Sequence, residues 1–78
     1  MFEQVKEILA RYVNGMEITP DANLAEDLSM NSLDVIDFVI DIETAFKIKI
    51  PERKVQKLMT VEDFMKIIEE LERKKIKN

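Results

Sequence analysis

The chain has 78 residues, 46% of them hydrophobic and 36% charged, with a net charge of −4 and neither Cys nor His. That length holds one small domain with a thin core, and the missing residue types remove thiolate nucleophiles, disulfides, zinc-finger ligand sets and His-based acid–base chemistry. The acidic balance argues against nucleic acid as the main partner, because phosphate binding needs a basic surface.

Residues 2–14 predict an amphipathic helix, with Phe2, Val5, Ile8, Leu9, Tyr12 and Val13 at helical spacing between charges. Met1-Phe2-Glu3-Gln4 lacks the basic start and apolar core of a secretory signal, and no run of about 20 apolar residues occurs. A cytoplasmic domain without stable membrane insertion is therefore expected. Asn14-Gly15 ends the helix, with Gly15 suited to the left-handed residue that follows one. Residues 16–30 read as a long connection with turn chemistry at Thr19-Pro20-Asp21. Ile18, Leu24 and Leu28 are placed to pin it to the core, which predicts an ordered loop. Asp21-Ala22-Asn23 begins like a calcium loop, but Glu26 replaces the required Gly and Ser32 stands at the twelfth position, so an EF-hand is rejected and no metal is expected.

A second helix is predicted over 32–46, with Asn31 as N-cap and Asp34 in the electropositive first turn. At about 100° per residue, Asp34, Asp37 and Asp41 share one narrow face. Val35, Ile36, Val39, Ile40 and Phe46 spread over the opposite side, and Phe38 falls beside the acids as a candidate exposed aromatic. Glu43 lies among apolar positions, at a seam near the helix end or partly buried. Residues 47–51 alternate Lys and Ile up to Pro51, an extended stretch. Residues 52–58 predict a short helix, Val55 and Leu58 inward, dependent on tertiary packing. Thr60 opens the last helix with Asp63 in a capping-box-like position, and Phe64, Ile67, Ile68 and Leu71 form its stripe. Arg73, Lys74, Lys75 and Lys77 fall at its C-terminal end, where the helix dipole favours cations, and 73–78 is expected to be a frayed basic tail. The fold class is all-α: a small four-helix bundle of three longer helices and one short third helix, with a long ordered loop between helices 1 and 2. Residues 1–78 form one domain, expected to be monomeric.

Charge is segregated along this order. Residues 17–46 carry eight acids and no base, while 47–78 carry ten bases and six acids. The acidic block would steer a basic partner toward it, or merely keep the surface solvated. Of the two serines, Ser29 and Ser32, neither can join a Ser-His-Asp triad without His. Ser32 stands where the long loop meets a helix N-terminus, a favourable place for a phosphodiester, although serine is also an ordinary first-turn residue.

The segment Asn31-Ser32-Leu33-Asp34-Val35-Ile36-Asp37-Phe38-Val39 resembles the signature of the acyl carrier protein family, which centres on Asp-Ser-Leu. Ile18-Thr19-Pro20-Asp21-Ala22 with Leu24, Glu26, Asp27 and Leu28 is similar to that family's loop. Glu43 with Phe46, then Ile48, Ile50-Pro51 and Thr60-Val61, continue the likeness, which covers about residues 2–72. The resemblance implies a non-enzymatic carrier. Ser32 would bear a 4′-phosphopantetheine arm, attached by a phosphopantetheinyl transferase that uses coenzyme A and a divalent metal, and acyl groups would be held as thioesters. It implies docking of Asp34, Asp37, Phe38, Asp41 and Glu43 on basic patches of acyl-transferring and chain-elongating enzymes of fatty-acid, polyketide or specialised lipid biosynthesis. It also implies an acyl-chain pocket among Val39, Ile40, Ile42, Phe46, Ile50, Val55, Leu58, Phe64 and Ile68, each of which is first a core position.

Three departures from the family pattern stand out: Asn31 replaces the usual Asp, Ser29-Met30 replaces the usual Gly-x, and Arg53, Lys54 and Lys57 make the third helix basic. The last of these suggests a specialised carrier. The alternative reading is an unmodified carrier-like interaction subunit; a small ion-binding domain and a tiny hydrolase rank below it.

Overall fold

α1 spans Phe2–Leu9 and buries Val5, Ile8 and Leu9. It is shorter than the spacing predicts because its last turn tightens. Arg11 N–H bonds Ile8 O at 3.2 Å and Tyr12 N–H bonds Leu9 O at 2.9 Å, the three-residue reach with which helix ends satisfy their last carbonyls. The chain then reverses at Gly15, whose φ of 68° is left-handed. The computed structural model describes residues 1–76.

The loop that follows is held from both sides, as expected of an ordered connection. Ile18, Ala22, Leu24, Leu28 and Met30 are buried. Leu24 N–H bonds Met59 O at 2.9 Å, Val61 N–H bonds Ala22 O at 3.1 Å, and Glu62 N–H bonds Pro20 O at 2.8 Å. An isolated antiparallel bridge joins Asn23 to Thr60. The loop's polar groups close its turns: Asn23 Oδ1 accepts from the amides of Ala25 and Glu26 at 2.9 Å, Asp27 accepts from Asn23 N–H at 2.8 Å, and the Thr19 hydroxyl donates to Asp21 at 2.6 Å.

α2 spans Ser32–Phe46, α3 Glu52–Val55 and α4 Val61–Ile76. The described residues therefore form four helices with no strand, the predicted bundle with a third helix of only four residues. α4 opens on reciprocal caps: Thr60 Oγ1 accepts Asp63 N–H at 3.1 Å, and Asp63 accepts the amides of Thr60 at 3.0 Å and Met59 at 2.9 Å. Those amides hold the Asp63 carboxyl below its ordinary pKa. The tail expected to fray begins inside α4: residues 73–76 are helical, and residues 77 and 78 lie outside the described residues. Lys75 Nζ donates to Lys47 O at 2.8 Å and Phe46 O at 3.4 Å, so α4 caps the exposed carbonyl end of α2.

Phe38, Phe64, Leu9, Ile42, Ile68, Val5 and Val61 are the largest fully buried side chains, each contributing roughly 2 kcal/mol of burial. The burial of Phe38 corrects the sequence expectation of an exposed aromatic beside the acids. Its ring meets Tyr12 edge-on at 6.2 Å and Phe64 at 4.9 Å, at the centre of the bundle. α2 is apolar on most of its circumference, so periodicity leaves its inward side undecided and packing against α1 decides it. Ile36 and Ile40, placed opposite the acids by spacing, are instead 52% exposed.

Candidate functional site

The loop reaches α2 through Ser29, a non-glycine residue with φ of 57°, followed by the buried Met30. This left-handed step turns the chain from its docked path onto the helix axis. Met30 N–H bonds Leu24 O at 2.9 Å. Asn31 then adopts extended geometry as N-cap. Its Oδ1 accepts Asp34 N–H at 2.8 Å, and Asp34 accepts Asn31 N–H at 3.4 Å, a closed capping box. Val35 N–H bonds Asn31 O at 3.0 Å. Ser32 is thus the first residue of a pinned helix, with an exposed side chain.

The first turn fits a phosphodiester at Ser32. The Asn31 side chain satisfies the Asp34 amide, whereas the amides of Ser32 and Leu33 precede any intrahelical acceptor and sit at the positive end of the helix dipole. Ser32 is exposed, so an enzyme can reach it.

Below Ser32, α2 presents an apolar strip that spacing did not pick out. Leu33 is 71% exposed, and Ile36 and Ile40 follow at helical intervals. Asp37 is exposed beside this strip. The other acids expected on this face are partly engaged. Asp34 serves the capping box. Asp41 accepts the Tyr12 hydroxyl at 2.5 Å and lies 3.9 Å from Arg11. That hydrogen bond and the Asp41 charge, with partial burial, push the Tyr12 phenol up to about 12. Glu43 is half-buried at the seam that its position suggested, and its carboxylate accepts Ile50 N–H at 2.8 Å. It fixes the α2–α3 connection, together with the left-handed Lys47 and the Ile48 N–H bond to Glu43 O at 3.1 Å.

Between α2 and the α2–α3 connection lies a cleft of about 580 Å³, starting one turn beyond Ser32 at Ile36. Four residues named for an acyl pocket line it: Val39, Ile40, Ile50 and Val55. Ile42, Phe64 and Ile68 do not; they are at 0% exposure in the central core. Leu58 and Phe46 are half-buried and line other grooves, Leu58 toward α4 and Phe46 toward α1. The cleft therefore shares only four residues with the set read from sequence, and sits to one side of the core.

Residues 3–68 match the family described as a phosphopantetheine attachment site. The chain is 33% identical over 72 residues to an acyl carrier protein of Helicobacter pylori strain J99, covering 90% of this chain and 92% of that protein. It is 37% identical over 70 residues to an acyl carrier protein of Helicobacter hepaticus, covering 87% and 92% respectively. In fold it is similar to the crystal structure of a Toxoplasma-specific mitochondrial acyl carrier protein, with a TM-score of 0.81 at 19% identity over 91% of this chain and 86% of that one.

Proposed function

The chain belongs to the acyl carrier protein family, and we propose that Ser32 is the residue that bears its 4′-phosphopantetheine. The protein is an acyl carrier whose cofactor is that group. When bound, the group supplies the thiol on which acyl chains ride as thioesters, a thiol absent from a chain without Cys. Family members carry and do not catalyse, so acyl-handling enzymes are the partners.

The observation that carries the proposal is the exposed Ser32 hydroxyl on a turn closed by Asn31 and Asp34, inside the matched span. The capping box fixes the backbone of the turn that carries Ser32. A phosphopantetheinyl transferase and the acyl-transferring and chain-elongating enzymes then dock against α2. Asp37 steers basic patches toward that helix, and Leu33, Ile36 and Ile40 supply apolar contact at the centre of the interface. Asp34 and Asp41 add charge from positions already tied down, and Glu43 acts mainly through Ile50. The cleft between Ile36 and Val55 shelters the cargo, and its opening moves the connection that Glu43 holds. We take residues 1–78 to be one carrier domain working as a monomer.

The test compares Ser32→Ala with Ser29→Ala in transfer from fluorescently labelled coenzyme A by a broad-specificity transferase. Label on wild type and Ser29→Ala, with none on Ser32→Ala, is the expected result. Label on Ser32→Ala moves the site to Ser29 and overturns the assignment.

A further inference from the structure

α3 and the facing stretch of α4 bound a groove of about 310 Å³ that is separate from the cleft beside α2. Arg53, Lys54, Lys57 and Lys66 wall it, with Leu58 and Ile67 as apolar lining. Two of these cations are spent within the chain: Lys54 donates to Glu70 at 2.6 Å, and Lys66 lies 3.6 Å from Glu62. The two acids beside the groove are spent as well, Glu70 on Lys54 and Asp63 on the amides that open α4. Arg53 and Lys57 are exposed and make no ion pair among the described residues. Further along α4 a second concavity of about 330 Å³ is lined by Lys47, Lys49, Lys74 and Lys75 with no acid. Lys74 of this concavity lies 3.8 Å from Glu70 at the edge of the groove, so the two adjoin.

We propose that the α3–α4 groove is a second docking surface, which takes an acidic segment of a partner protein on Arg53 and Lys57. Charge complementarity sets the sign of the occupant. Its class follows from what lines the groove. Interfacial membrane binding needs protruding apolar side chains, yet among the described residues the exposed large ones are Met1, Met16, Leu33, Ile36, Ile40 and Met59, none of them in this groove. Single-stranded nucleic acid is held by stacking on aromatics, and none lines it. A concave, cationic groove with the half-buried Leu58 and the edge of the buried Ile67 in its lining suits a peptide segment that alternates acids with an apolar residue. The identification of the partner as an acyl-handling enzyme rests on the proposed carrier function; binding in the groove does not require Ser32 to be modified. A partner reading both faces needs a basic patch for α2 and an acidic segment for α3. Enzymes with a uniformly basic docking surface meet Arg53 and Lys57 with like charge and are disfavoured.

The test titrates isotope-labelled, unmodified full-length protein with a synthetic peptide of alternating Glu and Leu at low salt, followed by amide chemical shifts. Shifts at Arg53, Lys57, Lys66 and Ile67 are expected. The double variant Arg53→Glu, Lys57→Glu should weaken binding about tenfold, Arg53→Gln, Lys57→Gln roughly threefold, and the distant Lys6→Glu less than about twofold. Circular dichroism matched to wild type certifies that each variant is folded. Three outcomes overturn the proposal: no binding, shifts confined to other faces, or affinity unchanged in both double variants. Vesicles of phosphatidylglycerol that shift the same amides where the peptide does not would overturn the protein partner in favour of a lipid surface. None of these results bears on labelling of Ser32, so failure here is distinct from failure of the carrier assignment.

Discussion

Replacing Phe38 by Leu separates two descriptions of α2. The ring is at 0% exposure and packs edge-on against both Tyr12 and Phe64. Truncating such a ring to Ala costs about 3–5 kcal/mol, and each aromatic pair is worth about 0.5–1.5 kcal/mol beyond its area. A domain of this length has only roughly 4–12 kcal/mol of total stability, so Phe38→Ala leaves a substantial unfolded fraction and Leu is the measurable choice. Phe38→Leu keeps most of the volume and loses the ring contacts, a cost of about 2 kcal/mol. In a domain of this size that lowers Tm by roughly 8–16 °C. Urea unfolding followed by far-UV circular dichroism should show a lower midpoint at unchanged slope. A change within about 0.5 kcal/mol, the size of a surface substitution, would refute the packing. It would mean that α2 is rotated, with Phe38 outside and Ile36 and Ile40 inside.

Other consequences are equally open to measurement. Ser29→Gly relieves a left-handed residue at φ 57°. The strain removed is about 1–2 kcal/mol and the added chain entropy about 0.5–1 kcal/mol, so a net gain near 0.5–1 kcal/mol should appear in the same urea titration. The carboxyl of Asp63 is held low by amides it accepts, so its contribution to stability is present above about pH 4 and is lost as pH falls through its depressed folded value. Asp63→Asn, which does not titrate, should lose less stability than wild type on going from about pH 4 to pH 2 in acid unfolding curves. Asn31→Asp preserves the cap and should change stability by less than about 0.5 kcal/mol, while raising the rate of phosphopantetheine transfer if the transferase reads that charge. Equal rates would show that it does not.

What could be read from the sequence depended on how local its cause was. The caps Asn31/Asp34 and Thr60/Asp63 involve neighbours three residues apart, and both form. The loop anchors Ile18, Leu24 and Leu28 were legible as spaced apolar residues in a polar stretch, and all three are buried, although Met16 of the same stretch is exposed. The inward side of α2 was not legible. Apolar residues nearly encircle it, and only the position of α1 and the edge-on contact with Phe64 turn Phe38 in and Ile36 out. The roles of the acids were equally non-local. Tyr12 is 29 residues from Asp41, and the Ile50 amide 7 from Glu43. Spacing could mark Glu43 as anomalous, but not name its partner. Ser29 carried a signal that composition hides, since its left-handed φ explains why glycine suits that step of the motif.

The central claim is that Ser32 carries the arm in the living cell. The most direct measurement is mass spectrometry of the chain isolated from its source cells, after hydroxylamine has removed any thioester. Trypsin leaves Tyr12–Lys47 as one peptide, because no Lys or Arg lies between Arg11 and Lys47. The account predicts that this peptide bears one phosphopantetheinyl group, and that fragmentation assigns it to Ser32. A peptide that is unmodified throughout, or modified on Ser29, would contradict it.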